Sequence, residues 1–226
     1  MARKSTPPNR VAIAAFRRRL LRWFRHHGRD LPWRRTRDPY RIVVSEFMLQ
    51  QTQVSRVEPY YHRFLTRFPS LEALAAAPPA RVRESWEGLG YYRRAHNLHQ
   101  LAQEVVRDRA GIIPDDPVEL QRLFGIGRYT AGAVASFAFE RSTPAVDTNV
   151  RRVLRRAFHA QTPAKQWSKI VWETAEQVIP SRGKTAWAFN QAMMELGALV
   201  CTAREARCDR CPVQLVCKTG RRARLG

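Results

Sequence analysis

Cysteine is missing from the first 200 residues of this 226-residue chain. That absence excludes a framework of disulfides spread over the fold and suits a reducing compartment. Acidic residues are scarce: 19 Asp and Glu stand against 40 Lys and Arg, a formal net charge of +21. An excess that large points to a polyanionic partner, nucleic acid before others. The charge is not confined to a tail, since arginine-rich stretches recur at 17–19, 34–37, 151–156 and 221–224. No apolar run is long enough to span a bilayer. No secretory signal is evident either. Val11–Phe16 is short and runs into Arg17-Arg18-Arg19, the reverse of the order a signal peptide needs. The expectation is a cytoplasmic, monomeric protein without a membrane partner, associated with the nucleoid if bacterial.

Alternating strand patterns and internal repeats are scarce. Apolar residues instead recur at three- and four-residue spacing over Val11–His26, Leu71–Ala77, Asn97–Arg107 and Lys165–Val178. Prolines punctuate these segments at 32, 39, 69, 78, 79, 114, 117, 163 and 180. With 44% hydrophobic residues the chain can bury one or two cores. The expected class is all-α. Val43–Leu49 can be read as a strand, but Ser45 and Glu46 fit a helix start continuing through Gln53. The Arg-, Lys- and Pro-rich termini are expected to fray.

The four cysteines that do occur are Cys201, Cys208, Cys211 and Cys217, spaced C-x6-C-x2-C-x5-C. Clustered thiolates are a ligand set. Structural zinc sites usually pair two short hooks across a longer gap. One C-x2-C hook with a more distant cysteine on either side suits a cubane iron–sulfur cluster better. Zinc and two disulfides remain open from spacing alone, since zinc and iron both accept four thiolates.

A second feature is Leu123-Phe124-Gly125-Ile126-Gly127-Arg128-Tyr129-Thr130-Ala131-Gly132-Ala133. A helical pattern over Pro117–Leu123 runs into Gly-Ile-Gly and then into small residues, Ala131–Phe139. Glycines permit a tight turn, and the following helix offers unpaired N–H groups to an anion. Such a unit can grip a phosphate without reading sequence; an ordinary helix–helix turn has the same appearance. Downstream, Asp147 precedes a helix that Asp147, Thr148 or Asn149 could cap. An aspartate beside a phosphate clamp could alternatively face a nucleotide sugar.

Together with Arg29–Arg34, Ser45–Val54, Trp86–Ala95 and Phe189–Gly197, these motifs resemble the endonuclease III superfamily of helix–hairpin–helix DNA glycosylases. Within it the chain is most similar to the adenine DNA glycosylases of the MutY type. The resemblance runs from about Arg29 to Cys217. It implies a two-lobed all-α fold with a C-terminal iron–sulfur cluster loop. A six-helix barrel with the hairpin would occupy 30–140, and 1–29 with 141–226 would form the cluster domain. The target base would be flipped into the cleft between the lobes. One [4Fe-4S] cluster would sit on the four cysteines. The partner would be double-stranded DNA with a mismatched or oxidatively damaged base pair.

Site roles follow from the same resemblance. Glu46 matches the general acid that protonates the leaving adenine. Asp147 matches the carboxylate that stabilises the oxocarbenium-like sugar, the two-carboxylate logic of glycoside hydrolysis. Burial should raise the Glu46 pKa if it is to act near neutral pH; from the pattern alone a solvated helix-start carboxylate is an equal alternative. Tyr129 stands where the lyase branch carries a Schiff-base lysine, which implies hydrolysis without strand cleavage. Its hydroxyl would orient Asp147 or the sugar. Asn149 and Arg29 would support Asp147 and the pocket. Gln51 and Tyr91 resemble wedge residues that fill the gap left by the flipped base. Leu31, Trp33, Arg34 and Glu195 would line the pocket; core packing is the lesser alternative for Trp33 and Tyr91. Gln50, Thr52, Leu89, Gly125 and Gly127 complete the expected DNA contacts.

Three departures stand out. Thr148 replaces the glycine common in Asp-Gly-Asn. Tyr129 replaces a common serine and is more typical of the thymine-mismatch branch. The sequence ends soon after Cys217, without the pattern of the Nudix-like domain that reads 8-oxoguanine in many relatives. Opposite-base reading is therefore expected from the catalytic lobes alone, or with relaxed preference. The rivals to an adenine glycosylase are a thymine or uracil mismatch glycosylase and a non-catalytic iron–sulfur DNA-binding protein.

Overall fold

In the computed structural model, residues 9–225 are described. Their backbone forms two compact units: one joins the chain up to Arg29 with the stretch from Glu140 onward, and the other is Asp30–Phe139. No β-strand occurs among the described residues; an isolated antiparallel bridge pairs Cys201 with Ala206. No described helix is long and apolar enough to cross a membrane.

The Asp30–Phe139 unit contains α2 (Pro39–Leu49), α3 (Val54–Arg67), α4 (Leu71–Ala75), α5 (Pro79–Ser85), α6 (Arg93–Arg109), α7 (Pro117–Arg122) and α8 (Arg128–Phe139). Its centre is α2 packed on α8. Asp38 caps α2, accepting from the amides of Tyr40 and Arg41, and Pro39 takes the first position, where no N–H is needed. The helix therefore begins well before Ser45 and stops at Leu49. Every residue from Ile42 to Met48 is buried, Glu46 included. A helix surrounded on all sides has no polar face. That is why its sequence shows no helical period and reads equally as a strand. The next helix starts at Val54, so the segment through Gln53 is a turn rather than helix. The small residues of α8 serve the same end: Thr130 to Ala138 are all buried. Phe64, with Trp86 edge-on at 5.8 Å between centroids, is buried in this unit, as are Leu98, Leu101 and Leu120.

The other unit contains α1 (Arg10–His27), α9 (Thr148–Phe158), α10 (Ala164–Val178), α11 (Gly183–Leu199) and α12 (Lys218–Leu225). Amphipathic spacing dictates its core. Ile13, Phe16 and Leu20 of α1 meet Leu154, Phe158, Val171, Phe189 and Met193. Phe16 sits 5.0 Å from Phe158 and 6.4 Å from Phe189. Arg17 donates to the carbonyls of Gln177, Val178 and Ile179 and so closes the C-terminus of α10. The fraying expected of the N-terminus falls on residues 1–8, outside the described residues. Against expectation, the C-terminal arginines 221–224 lie in a helix.

Gly183 opens α11 directly against the Glu140 carbonyl, where an added Cβ would fall 1.7 Å from that oxygen. Gly183→Ala should therefore lower stability by about 1–3 kcal/mol, the range for overpacking a rigid contact. A urea midpoint unchanged from wild type would refute that reading of the contact.

Candidate active site

The Asp30–Phe139 unit buries one carboxylate of note. Glu46 lies in the last turns of α2 and is only 4% exposed. The Tyr129 hydroxyl, from the first turn of α8, donates to its Oε2 at 2.7 Å. Glu46 is thus one partner of the Tyr129 hydroxyl, a pairing the sequence did not single out. The alternative of a solvated helix-start carboxylate at 46 is set aside by this burial.

The hairpin lies in this unit between α7 and α8. Gly125 has φ +76°, a conformation that strains other residues, and its missing Cβ would meet Asn97 Cβ at 3.1 Å. Gly127 differs: nothing lies within 4 Å of its would-be Cβ. Gly125 therefore makes the turn, and Gly127 keeps the approach to the α8 amides open. Those first-turn amides have no intrahelical acceptors and carry the positive end of the helix dipole.

Two further turns carry expected DNA-contacting residues. Gln51 and Tyr91 both adopt left-handed backbone, with φ of 57° and 49°. Non-glycine residues hold that region at roughly 1–3 kcal/mol, and only where the surroundings fix them. Gln51 is exposed and Tyr91 is 61% exposed, so Tyr91 is not a core residue. Leu89 is buried, and Gln50 and Thr52 are half-buried. Leu31 and Trp33 are buried, Trp33 edge-on to Tyr61, and Arg34 is half-buried.

The second unit holds Asp147. It is the N-cap of α9, the cap option the sequence left open: Oδ1 accepts from the Val150 amide at 2.6 Å. Oδ2 accepts from Asn149 Nδ2 at 2.9 Å. Burial pushes the Asp147 pKa above the ordinary aspartate value. The amides of Val150 and Asn149 and the Arg152 charge pull it back. Asn149 is held in turn, because Arg152 Nη2 donates to its Oδ1 at 2.8 Å. Arg152 also reaches the carbonyls of Gly197 and Cys201, both under 3 Å. Glu195 is fully buried and takes three hydrogen bonds from Arg29, through its amide, Nε and Nη2. Arg29 thus supports Glu195.

Cys201, Cys208, Cys211 and Cys217 are free thiols, and all four line one small cavity with Arg156 and Arg207. The two-disulfide alternative does not apply. Arg156 donates to Cys201 Sγ at 3.4 Å and to the Thr202 carbonyl, and the Gly220 amide points at Cys217 Sγ. Burial raises the thiols of Cys208, Cys211 and Cys217, Cys211 to about 12. Ligation here would have to displace those protons. Sequence reasoning missed Arg152 and Arg156. Their spacing from Asn149, three and seven residues, is the signal that places all three on one face of α9.

Three comparisons bear on this site. The model of the HhH-GPD superfamily of base excision DNA repair proteins matches residues 44–177. The adenine DNA glycosylase of Mycolicibacterium smegmatis is 49% identical over 195 residues, covering 86% of this chain and 66% of its own. The rat adenine DNA glycosylase is 44% identical over 226 residues, covering 95% of this chain and 43% of its own. This chain thus spans less than two thirds of those curated relatives. Among solved structures, a thermostable thymine-DNA glycosylase matches with TM-score 0.86 and 29% identity, over 94% of this chain and 98% of that one. An endonuclease III–DNA complex, at 24% identity and TM-score 0.79 over 96% and 99% of the two chains, shares the fold.

The raised Asp147 pKa has a stability consequence. A group whose folded pKa lies above its unfolded value favours folding at low pH, and that advantage is lost as pH rises through the folded pKa. Asp147→Asn should therefore raise the Tm at neutral pH, by roughly 2–4 °C if the relief is about 1 kcal/mol. The gain should vanish on acidification below the ordinary aspartate range. A Tm lowered at neutral pH would show that capping outweighs desolvation.

Proposed function

Because the chain belongs to the HhH-GPD superfamily of base excision DNA repair proteins, we propose that it is a monofunctional adenine DNA glycosylase. It would bind duplex DNA and hydrolytically remove adenine mispaired with 8-oxoguanine or guanine. The observation that carries this reading is the buried Glu46 under the Tyr129 hydroxyl, in a chain that also keeps Asp147. Binding alone requires neither carboxylate, which argues against a non-catalytic DNA-binding protein. The 39–49% identity to adenine DNA glycosylases over most of this chain supports the choice of base.

In this reading the phosphate backbone is gripped at the hairpin. Gly127 leaves room for a phosphate oxygen, and the α8 amides donate to it. Gln51 and Tyr91 enter the base stack as adenine leaves it. Leu31, Trp33, Arg34 and Glu195 surround the extruded base. With Tyr129 donating to Oε2, Glu46 gives its proton from Oε1 to a ring nitrogen of adenine, so that a neutral base departs. The glycosidic C–N bond breaks, its electron pair leaves with the base, and the sugar becomes oxocarbenium-like. Ionised Asp147, steadied by Val150 N–H and Asn149, stabilises that charge. Water then adds at the anomeric carbon and its released proton returns to the Glu46 carboxylate, which leaves an abasic site and restores the acid. Tyrosine at 129 cannot form the Schiff base of a lyase.

The four thiols fit a [4Fe-4S] cluster better than a lone zinc by their spacing, and all four face one cavity. When bound, the cluster would cross-link the C-terminal loop and supply a redox-active group, and the hydrolysis itself needs neither. The loop arginines Arg204, Arg207 and Arg210 would face phosphates.

A second reading is favoured by one observation: the thymine-DNA glycosylase match at TM-score 0.86, together with Tyr129. Single-turnover cleavage of duplexes carrying A:8-oxoguanine, A:G, T:G and U:G separates the two. Cleavage of the adenine duplexes is expected, without borohydride trapping, and activity confined to T:G and U:G would sink the adenine assignment. Protein purified without oxygen should contain iron and sulfide in equal amounts, with broad visible absorbance. Stoichiometric zinc instead would overturn the cluster assignment.

A further inference from the structure

Arg94 is the one arginine in the Asp30–Phe139 unit whose burial calls for a functional account, being 6% exposed. Its guanidinium lies over two aromatic rings, 5.5 Å from the Trp86 centroid and 5.4 Å from that of Tyr91. Its partners are carbonyl and hydroxyl oxygens rather than a carboxylate. Nη1 donates to the carbonyls of Phe47 and Met48 at 3.1 and 2.7 Å and to that of Gln50. Nη2 donates to Thr52 Oγ1 at 3.0 Å and to the Gly90 carbonyl at 3.1 Å. Nε is buried without a hydrogen-bond partner. A desolvated charge with an unsatisfied donor is a poor way to stabilise a core, where an apolar side chain serves as well.

The pattern of acceptors shows what the arrangement accomplishes. Gln50 and Gly90 are the residues immediately before Gln51 and Tyr91, both exposed and both held in left-handed backbone. One planar cation therefore grips the carbonyl that precedes each strained tip. The same fork closes the C-terminal carbonyls of α2, the helix that carries Glu46. Lysine could not do this, since its ammonium lacks the flat, multidirectional fork.

We propose that Arg94 is a positioning residue that locks the Gln50–Thr52 turn to the Leu89–Tyr91 turn, so that Gln51 and Tyr91 enter DNA as one rigid pair. The inference rests on the wedge reading of those two residues. It adds that they are mechanically coupled and that the coupling is used in base extrusion rather than in bond cleavage.

The test uses the mismatch that the wild-type protein cuts fastest and the same target base placed unpaired in a bulge. Arg94→Lys should slow single-turnover cleavage of the paired substrate by about 10- to 100-fold, the scale of a misplaced group. It should slow the bulged substrate far less. Combined with Tyr91→Ala, it should add little to the loss caused by Tyr91→Ala alone. Equal slowing of paired and bulged substrates, or losses that multiply, would overturn the coupling while leaving the wedge reading intact. Tyr91→Ala and Gln51→Ala both cutting the paired duplex at the wild-type rate would sink the wedge reading, and the inference with it. A measurement on wild-type protein covers the case in which Arg94→Lys does not fold. The amides of Thr52, Leu89 and Arg94, each bonded within these turns, should exchange with one common opening free energy and denaturant dependence. Independent opening of the two turns would contradict the proposal.

Discussion

An ionisable group taken out of water must be met by hydrogen bonds, and this fold takes several ionisable groups out of water. Glu46 is met by Tyr129, Asp147 by the Val150 amide and Asn149, Glu195 by Arg29, and Arg94 by carbonyls from two turns. Each is held by groups from a separate stretch of chain or from a helix terminus. The helices can thus be seen as the means of bringing those partners to fixed places. An interior built only for stability would have used apolar side chains at these positions.

Helix α9 shows how one element serves two ends. Its N-cap is the candidate catalytic carboxylate. Val150, Val153 and Ala157, three, six and ten positions after that cap, are buried in the core. Interleaved with them, Arg152 and Arg156 reach the backbone of Cys201 and Thr202. Asn149 packs so closely on α11 that a Cβ at Gly197 would lie 2.6 Å from Asn149 Cβ. Capping, core packing and the anchoring of the cysteine loop are therefore satisfied along eleven residues.

The legibility of the sequence followed the physics of exposure. Helices with one wet face announced themselves: α1 was read as Val11–His26 and spans Arg10–His27, and α10 was read as Lys165–Val178 and spans Ala164–Val178. α2 was not legible in the same way, because a helix buried on every side erases the period that periodicity analysis needs. The burial of Glu46 was hidden for the same reason. The hairpin was visible in its glycines, but the sequence could not say that Gly125 is required by backbone conformation while a Cβ at Gly127 would meet only open space. The cysteines were recognisable as a ligand set from spacing alone. Arg94, Arg152 and Arg156 were not, since their meaning lies in carbonyls 4 to 49 residues away, and no local pattern records which carbonyl an arginine will reach. The residue roles carried over by resemblance rest on motif position, and the geometry gives them a physical setting.

The central claim is that two carboxylates share the work, with Asp147 acting as the ionised one despite its burial. The pH dependence of single-turnover cleavage tests this most directly. Because burial raises the Asp147 pKa and the reaction uses its charged form, the rate should fall on acidification through a pKa above the ordinary aspartate range. Asp147→Asn should leave no measurable rate at any pH. A rate that stays level until the ordinary aspartate range, or an Asp147→Asn protein that cleaves as fast as wild type, would contradict the account.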